Sequence, residues 1–143
     1  MTELDELYQA TIVDHDRAPR HAGALADATH EATVDNPLCG DVVTVHARLA
    51  GDTLADLRCE ARGCALSRAA ASIMTTRVLG QPISEARALA ATFEHFIKSA
   101  PDAAAPDELG ELAAFAGVRK FRARRMCALL AFRALLASFD RPR

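Results

Sequence analysis

No apolar stretch of this 143-residue chain runs unbroken for the ~18–20 residues that a bilayer-spanning helix needs, because charge interrupts each one. No helical membrane span is therefore expected. Neither sign of charge dominates: 17 Lys and Arg stand against 19 Asp and Glu, a net charge of −2. That balance removes any global pull toward nucleic acid or an anionic membrane. The opening Met1-Thr2-Glu3-Leu4-Asp5-Glu6 is acidic and lacks the basic start and apolar core of a secretory signal, so a cytoplasmic location is expected. In that compartment the 4 cysteines read as metal ligands or reactive thiols, not disulfides. They also lack any Cys-x-x-Cys pair, the close spacing of zinc knuckles. There is no internal repeat and no long biased tail, and residues 1–143 read as a single domain.

What is present is a globular composition, 50% hydrophobic and 25% charged, with enough chain to bury a core without staples. Residues 4–16 predict an amphipathic helix, with Leu4, Leu7, Tyr8, Thr11 and Ile12 at helical spacing. The helix stops before the turn-rich Ala18-Pro19-Arg20-His21-Ala22-Gly23. A short strand is expected near residues 32–35. Residues 42–49 and 54–61 alternate apolar and polar with period two around Ala50-Gly51-Asp52-Thr53, which predicts a hairpin with one buried face. Val43, Val45, Ala47 and Leu49 point inward on one strand, and Ala55, Leu57, Cys59 and Ala61 on the other.

From Cys64 the periodicity becomes helical: Leu66, Ala69, Ala70, Ile73 and Met74 form a stripe that ends at Gly80-Gln81-Pro82. Ser84 is expected to cap a helix running to about Lys98, with Ala88, Leu89, Thr92, Phe93 and Phe96 inward. Residues 99–107 are a loop, Asp107 caps a short helix to Gly117, and an almost wholly apolar last helix covers about 123–139. The fold class is α+β: a small antiparallel sheet of about three strands covered on one face by helices.

The chemistry lies in the thiols. Asn36-Pro37-Leu38-Cys39-Gly40-Asp41 sets a thiol and a carboxylate two positions apart on a tight turn, with Gly40 free to bend. Asp41 also fits a turn-stabilising Asx residue. Cys64, after Gly63, sits at a helix start where amides and the dipole favour a thiolate; a buried cysteine at the strand–helix junction is the alternative. Cys127 follows Arg124 and Arg125 near the start of the last helix, which would lower its pKa, though so apolar a helix also accommodates an inert cysteine. Cys59 reads as a core residue. Three thiolates and a carboxylate are a full set for tetrahedral zinc. Arg119, Lys120, Arg122, Arg124 and Arg125 form a basic run that reads either as a solvated face or as a docking surface beside a thiol; with only Phe121 interleaved, nucleic-acid binding is the weakest reading. His15, His21, His30, His46 and His95 read as surface or helix-end residues, and none adjoins Cys127.

Four ordered blocks resemble the U-type iron–sulfur assembly proteins, and within them the SufU branch. They are Ile12-Val13-Asp14-His15 with Pro19-Arg20-His21-Ala22-Gly23; then Asn36-Pro37-Leu38-Cys39-Gly40-Asp41; then Gly63-Cys64-Ala65-Leu66-Ser67-Arg68-Ala69-Ala70-Ala71-Ser72-Ile73-Met74-Thr75; and Gly117-Val118-Arg119-Lys120-Phe121-Arg122-Ala123-Arg124-Arg125-Met126-Cys127. Met126 stands where IscU-like scaffolds carry histidine, and residues about 99–117 resemble the extra segment of the SufU branch. Ala61, Ala70 and Arg122 depart from the family's usual glycine, serine and proline.

The resemblance implies a zinc ion held by Cys39, Asp41, Cys64 and Cys127, with Gly40 and Gly63 supporting the turns and Arg124 as a neighbouring cation for a site of net charge about −2. It also implies a sulfurtransferase. In the family a histidine of a pyridoxal-phosphate cysteine desulfurase (SufS-type) takes a coordination position, and the residue matching Cys39 is freed to accept persulfide sulfur for downstream Suf scaffold proteins. The alternative carried by the same residues is a scaffold on which a [2Fe–2S] cluster is assembled.

Overall fold

The computed structural model describes residues 3–143. Met1, Thr2 and the side chain of Leu4 lie outside the described residues, and with them part of the expected acidic start and apolar stripe. The elements run α1 (Glu3–Arg17), β1 (His30–Asn36), β2 (Asp41–Ala50), β3 (Thr53–Arg62), α2 (Ala65–Val78), α3 (Ile83–Ile97), a 3-10 segment (Asp107–Lys120) and α4 (Arg122–Ser138). The strands form an antiparallel sheet in the order β1-β2-β3. No helix among the described residues is long and apolar enough to cross a membrane.

Alternation decides which face is buried. The rows Ala32–Val45–Cys59 and Val34–Val43–Ala61 lie side by side in the register, and their residues pack into or against the core. α4 covers β1 and β2, α2 covers β3, and α1 packs on α2. A bulge between Arg48 and Leu49 shifts the phase, so that Leu54 is fully buried where strict alternation pointed Ala55 inward. Both sheet edges are partly occupied. Gly23 N–H donates to the Cys59 carbonyl (2.9 Å), and Cys59 N–H donates to the His21 carbonyl (3.0 Å). At the other edge Pro142 bridges to His30.

Several local expectations are corrected. α3 begins at Ile83 with Pro82, not Ser84, at its cap, because residues 80–82 are tied to β3: Leu54 N–H donates to the Gln81 carbonyl and Gly80 N–H to that of Leu54. Its buried face is Ala86, Ala90, Phe93, Phe96 and Ile97, and Ala88 is exposed. Pro106, not Asp107, stands at the cap of the 3-10 segment, which kinks at Gly110 (φ 51°) and continues to Lys120.

Three polar residues are buried, although His15 and His46 read as surface or helix-end residues and Arg119 as part of a basic face; His15 does lie in the last turn of α1. His15 lies between Ser72 Oγ (2.7 Å) and Glu111 Oε2 (3.2 Å). His46 lies between Glu31 Oε2 (3.0 Å) and Glu60 Oε1 (2.7 Å) on the outer sheet face. Arg119 leaves the basic run altogether: it donates to the carbonyls of Ala100, Pro101, Ala103 and Ala116 and sits 4.4 Å over the Phe96 ring. It organises the loop before the 3-10 segment.

Candidate metal centre

The β1–β2 connection is built by Asn36. Its carbonyl accepts the Gly40 N–H (2.8 Å) and the Cys39 N–H (3.3 Å), and its side-chain oxygen accepts the Leu38 N–H (3.2 Å). The Asx role therefore belongs to Asn36 and leaves Asp41 free for other partners. Gly40, at φ 74°, supplies the left-handed residue that returns the chain into β2. Leu38 projects from this turn into solvent, and Cys39 is exposed but turns its sulfur toward Cys127.

Asp41 goes the other way. It is 1% exposed and accepts three hydrogen bonds: Cys64 N–H to Oδ1 (2.9 Å), Ser67 Oγ–H to Oδ2 (2.5 Å) and the Cys64 thiol to Oδ2 (3.2 Å). Burial alone would raise its pKa, yet these hydrogen bonds together hold the carboxyl well below the ordinary 3.8. Space for it is made by Gly63 (φ 126°), where an added Cβ would fall 1.9 Å from Asp41 Oδ1. Cys64 is the N-cap of α2 but its side chain makes no capping bond; its thiol turns toward Asp41. Ser67, three residues on, returns to the same side by helical geometry.

Cys127 reaches the cluster from the second turn of α4, 4% exposed, with its sulfur 3.3 Å from that of Cys39. Burial first, then the neighbouring thiols and carboxylate, push the Cys127 thiol far up, opposite to the lowering expected from Arg124 and Arg125. Arg124 is exposed, with its guanidinium 5.2 Å over the Phe121 ring. Cys59, deep in the sheet, is pushed up to about 12 by burial and stays a core thiol, as its strand position indicates.

The sulfur atoms of Cys39 and Cys127 and a carboxylate oxygen of Asp41 all lie within 4.8 Å of one another, and the Cys64 sulfur is 3.2 Å from Asp41. Ligands on a tetrahedral zinc with ~2.3 Å sulfur bonds stand about 3.8 Å apart, so the donors of Cys39, Asp41 and Cys127 fit such an ion with small adjustments. Of the four residues singled out from the sequence, Cys39, Asp41 and Cys127 form one donor cluster, and Cys64 meets it through Asp41 from beside Gly63. Sequence reasoning missed Ser67 and Arg68. Arg68 Nε donates to Asp16 Oδ1 (2.6 Å) and its Nη1 to the Gly63 carbonyl. The available signal was their spacing, three and four residues after Cys64 on one helix face.

The pattern of the NifU-like N-terminal domain matches residues 7–128. A Streptococcus pyogenes serotype M1 protein named iron-sulfur cluster assembly scaffold protein IscU is 36% identical over 141 residues, 99% of this chain and 87% of its own length. The Bacillus subtilis (strain 168) zinc-dependent sulfurtransferase SufU is 37% identical over 132 residues, 92% of this chain and 88% of its own. Among solved structures, the N-terminal part of a nitrogen-fixing NifU-like protein from Brucella abortus superimposes with a TM-score of 0.85 at 28% identity, covering 97% of this chain and 96% of that one.

Proposed function

We propose, from the premise that this chain belongs to the NifU-like N-terminal domain family of iron–sulfur cluster assembly proteins, that it acts as a zinc-dependent sulfur relay. The observation that carries this reading is the unequal exposure of the ligand set. Cys39 is exposed, whereas Asp41 and Cys127 are buried and Cys64 is half-buried. One thiol can be approached while the others hold.

A bound zinc ion would keep the thiolates deprotonated and guarded against oxidation. Cys39, Asp41, Cys64 and Cys127 would hold it. Sulfur transfer then needs one free thiolate, and Cys39 is the residue to supply it. Its thiolate attacks the terminal sulfur of a persulfide on a pyridoxal-phosphate cysteine desulfurase of the SufS type. One S–S bond forms on Cys39 as the partner's S–S bond breaks, and the partner's cysteine leaves as thiolate, with no net oxidation. Asp41, Cys64 and Cys127 remain as anchors, and downstream Suf scaffold proteins take the sulfur on. Residues 1–143 act as a single cytoplasmic domain, with about 99–117 as the segment particular to the SufU branch.

The second reading is a scaffold for a [2Fe–2S] cluster. The name of the S. pyogenes relative favours it, and thiolates suit iron as well as zinc. Met126, half-buried, occupies the position before Cys127, where that chemistry would use a histidine. The test is to incubate the purified protein with the desulfurase and cysteine, then measure metal content, the site of persulfide and visible absorbance. Zinc with persulfide on Cys39, and loss of desulfurase stimulation in Cys39→Ala, are expected. A stable chromophore requiring the same cysteines would establish the scaffold instead.

A further inference from the structure

The peptide unit joining Gly63 to Cys64 is held at both ends. Its N–H donates to Asp41 Oδ1 at 2.9 Å, and its carbonyl accepts from Arg68 Nη1. Because that unit is planar and rigid, fixing its oxygen fixes the direction of its N–H. Arg68 in turn is set by Asp16 at the end of α1, whose Oδ1 accepts from Nε at 2.6 Å; the pair is 39% and 22% exposed. A guanidinium on the carbonyl also strengthens the N–H at the other end, since hydrogen bonds in series polarise one another. The forked guanidinium is the feature that lets one side chain span the acid and the carbonyl together.

We propose that Arg68, oriented by Asp16, is a positioning residue that locks the Asp41–Cys64 half of the metal centre, leaving Cys39 as the half that moves. The inference rests on the relay reading above for its purpose, but not for its geometry. α1 thereby reaches the centre through one side chain: Asp16 to Arg68, Arg68 to the Gly63 carbonyl, Cys64 N–H to Asp41. Arg124, assigned the cationic role from sequence, lies over Phe121 and takes no part in this chain of contacts.

The experiment uses Arg68→Gln, Asp16→Asn and Arg68→Lys, with Arg20→Gln as control, since Arg20 pairs with Asp14 on the same stretch of α1 without touching the centre. On zinc-loaded protein, iodoacetamide modification is followed cysteine by cysteine by mass spectrometry. Arg68→Gln is expected to raise the rate at Cys64 about tenfold and Asp16→Asn to raise it less, with Cys39 unchanged in both. Arg68→Lys should not restore protection, because an ammonium point charge cannot reproduce the fork. On metal-free protein, exchange of the Cys64 amide is measured by NMR and should accelerate in the same order. Unchanged Cys64 modification and amide exchange in Arg68→Gln would overturn the proposal. So would full protection in Arg68→Lys, or an equal effect from Arg20→Gln. If the native protein takes up no zinc, the relay reading falls, while the amide measurement still decides the role of Arg68.

Discussion

The two arms of the centre are built from one turn yet held in opposite ways. Asp41 is enclosed: two backbone and side-chain donors on its oxygens at 2.9 Å and 2.5 Å, a glycine where its carboxylate sits, and α2 packed beside it. Cys39, two residues earlier, is exposed; its sulfur is 3.9 Å from the Asn36 carbonyl and 3.3 Å from Cys127. From sequence the pair read as a thiol and a carboxylate presented together by one tight turn. The difference between them teaches that the freedom the proposed relay requires lies in one side chain, while its neighbour belongs to the fixed frame.

The sharpest way to break that contrast is Gly63→Ala. An alanine Cβ would collide with Asp41 Oδ1 at 1.9 Å and with its Cα at 2.9 Å, so a side-chain rotation alone cannot relieve it. The backbone at φ 126° adds strain of about 1–3 kcal/mol. Asp41 should leave the centre, and zinc affinity should fall by about 100-fold, the upper end for losing what orients a ligand. Competition with a chromophoric chelator measures this. Retention of native affinity would mean that Asp41 is not part of the frame.

How much of this was legible in the sequence depends on how local each signal is. α1, the hairpin and α2 were readable because their periodicity and turns lie within a dozen residues of one another. The four candidate ligands were readable through motifs, and three of them, Cys39, Asp41 and Cys127, lie in one cluster. The burial of His15 and His46 was not readable because the groups that enclose them, Ser72 and Glu111 for one and Glu31 and Glu60 for the other, arrive from distant segments. Arg119 failed for the same reason: five charges in seven residues read as one face, but its carbonyl partners come from the loop at 100–103 and from its own turn. Ser67 was hidden by being one more small residue in a helical stripe. The pKa of Cys127 was misjudged because adjacent arginines are visible in sequence, whereas burial and converging thiols are not.

Ser67→Ala sharpens the comparison more gently. It removes the 2.5 Å donor to Asp41 Oδ2 and leaves the Cys64 amide on Oδ1. A hydrogen bond to an ionised group contributes about 1.5–3 kcal/mol, and zinc affinity should fall by about tenfold. The sign of the pH effect follows from the depressed pKa of Asp41. Its contribution to the metal-free protein is present above the ordinary 3.8 and is lost as pH falls through the folded value. Urea unfolding of metal-free protein should therefore show native and Ser67→Ala stabilities that differ at neutral pH and converge in acid. A constant gap across that range would show that Ser67 does not favour the charged carboxylate.

The smallest effect is expected on the other arm. Gly40 also has positive φ, 74°, but an added Cβ meets nothing within 4 Å. Gly40→Ala should therefore cost only backbone conformational energy, about 1 kcal/mol, or about 4 °C in melting temperature. Zinc affinity and the protection of Cys64 should stay at native values, because Asp41 keeps all its donors. Sulfur acceptance at Cys39 is where any change should appear, since the turn that presents that thiol is the only thing altered. Melting curves, chelator competition and single-turnover persulfide transfer separate these effects. If Gly40→Ala instead releases zinc as readily as Gly63→Ala, the turn carrying Cys39 is as fixed as the Asp41–Cys64 frame, and the division into a held arm and a free one fails.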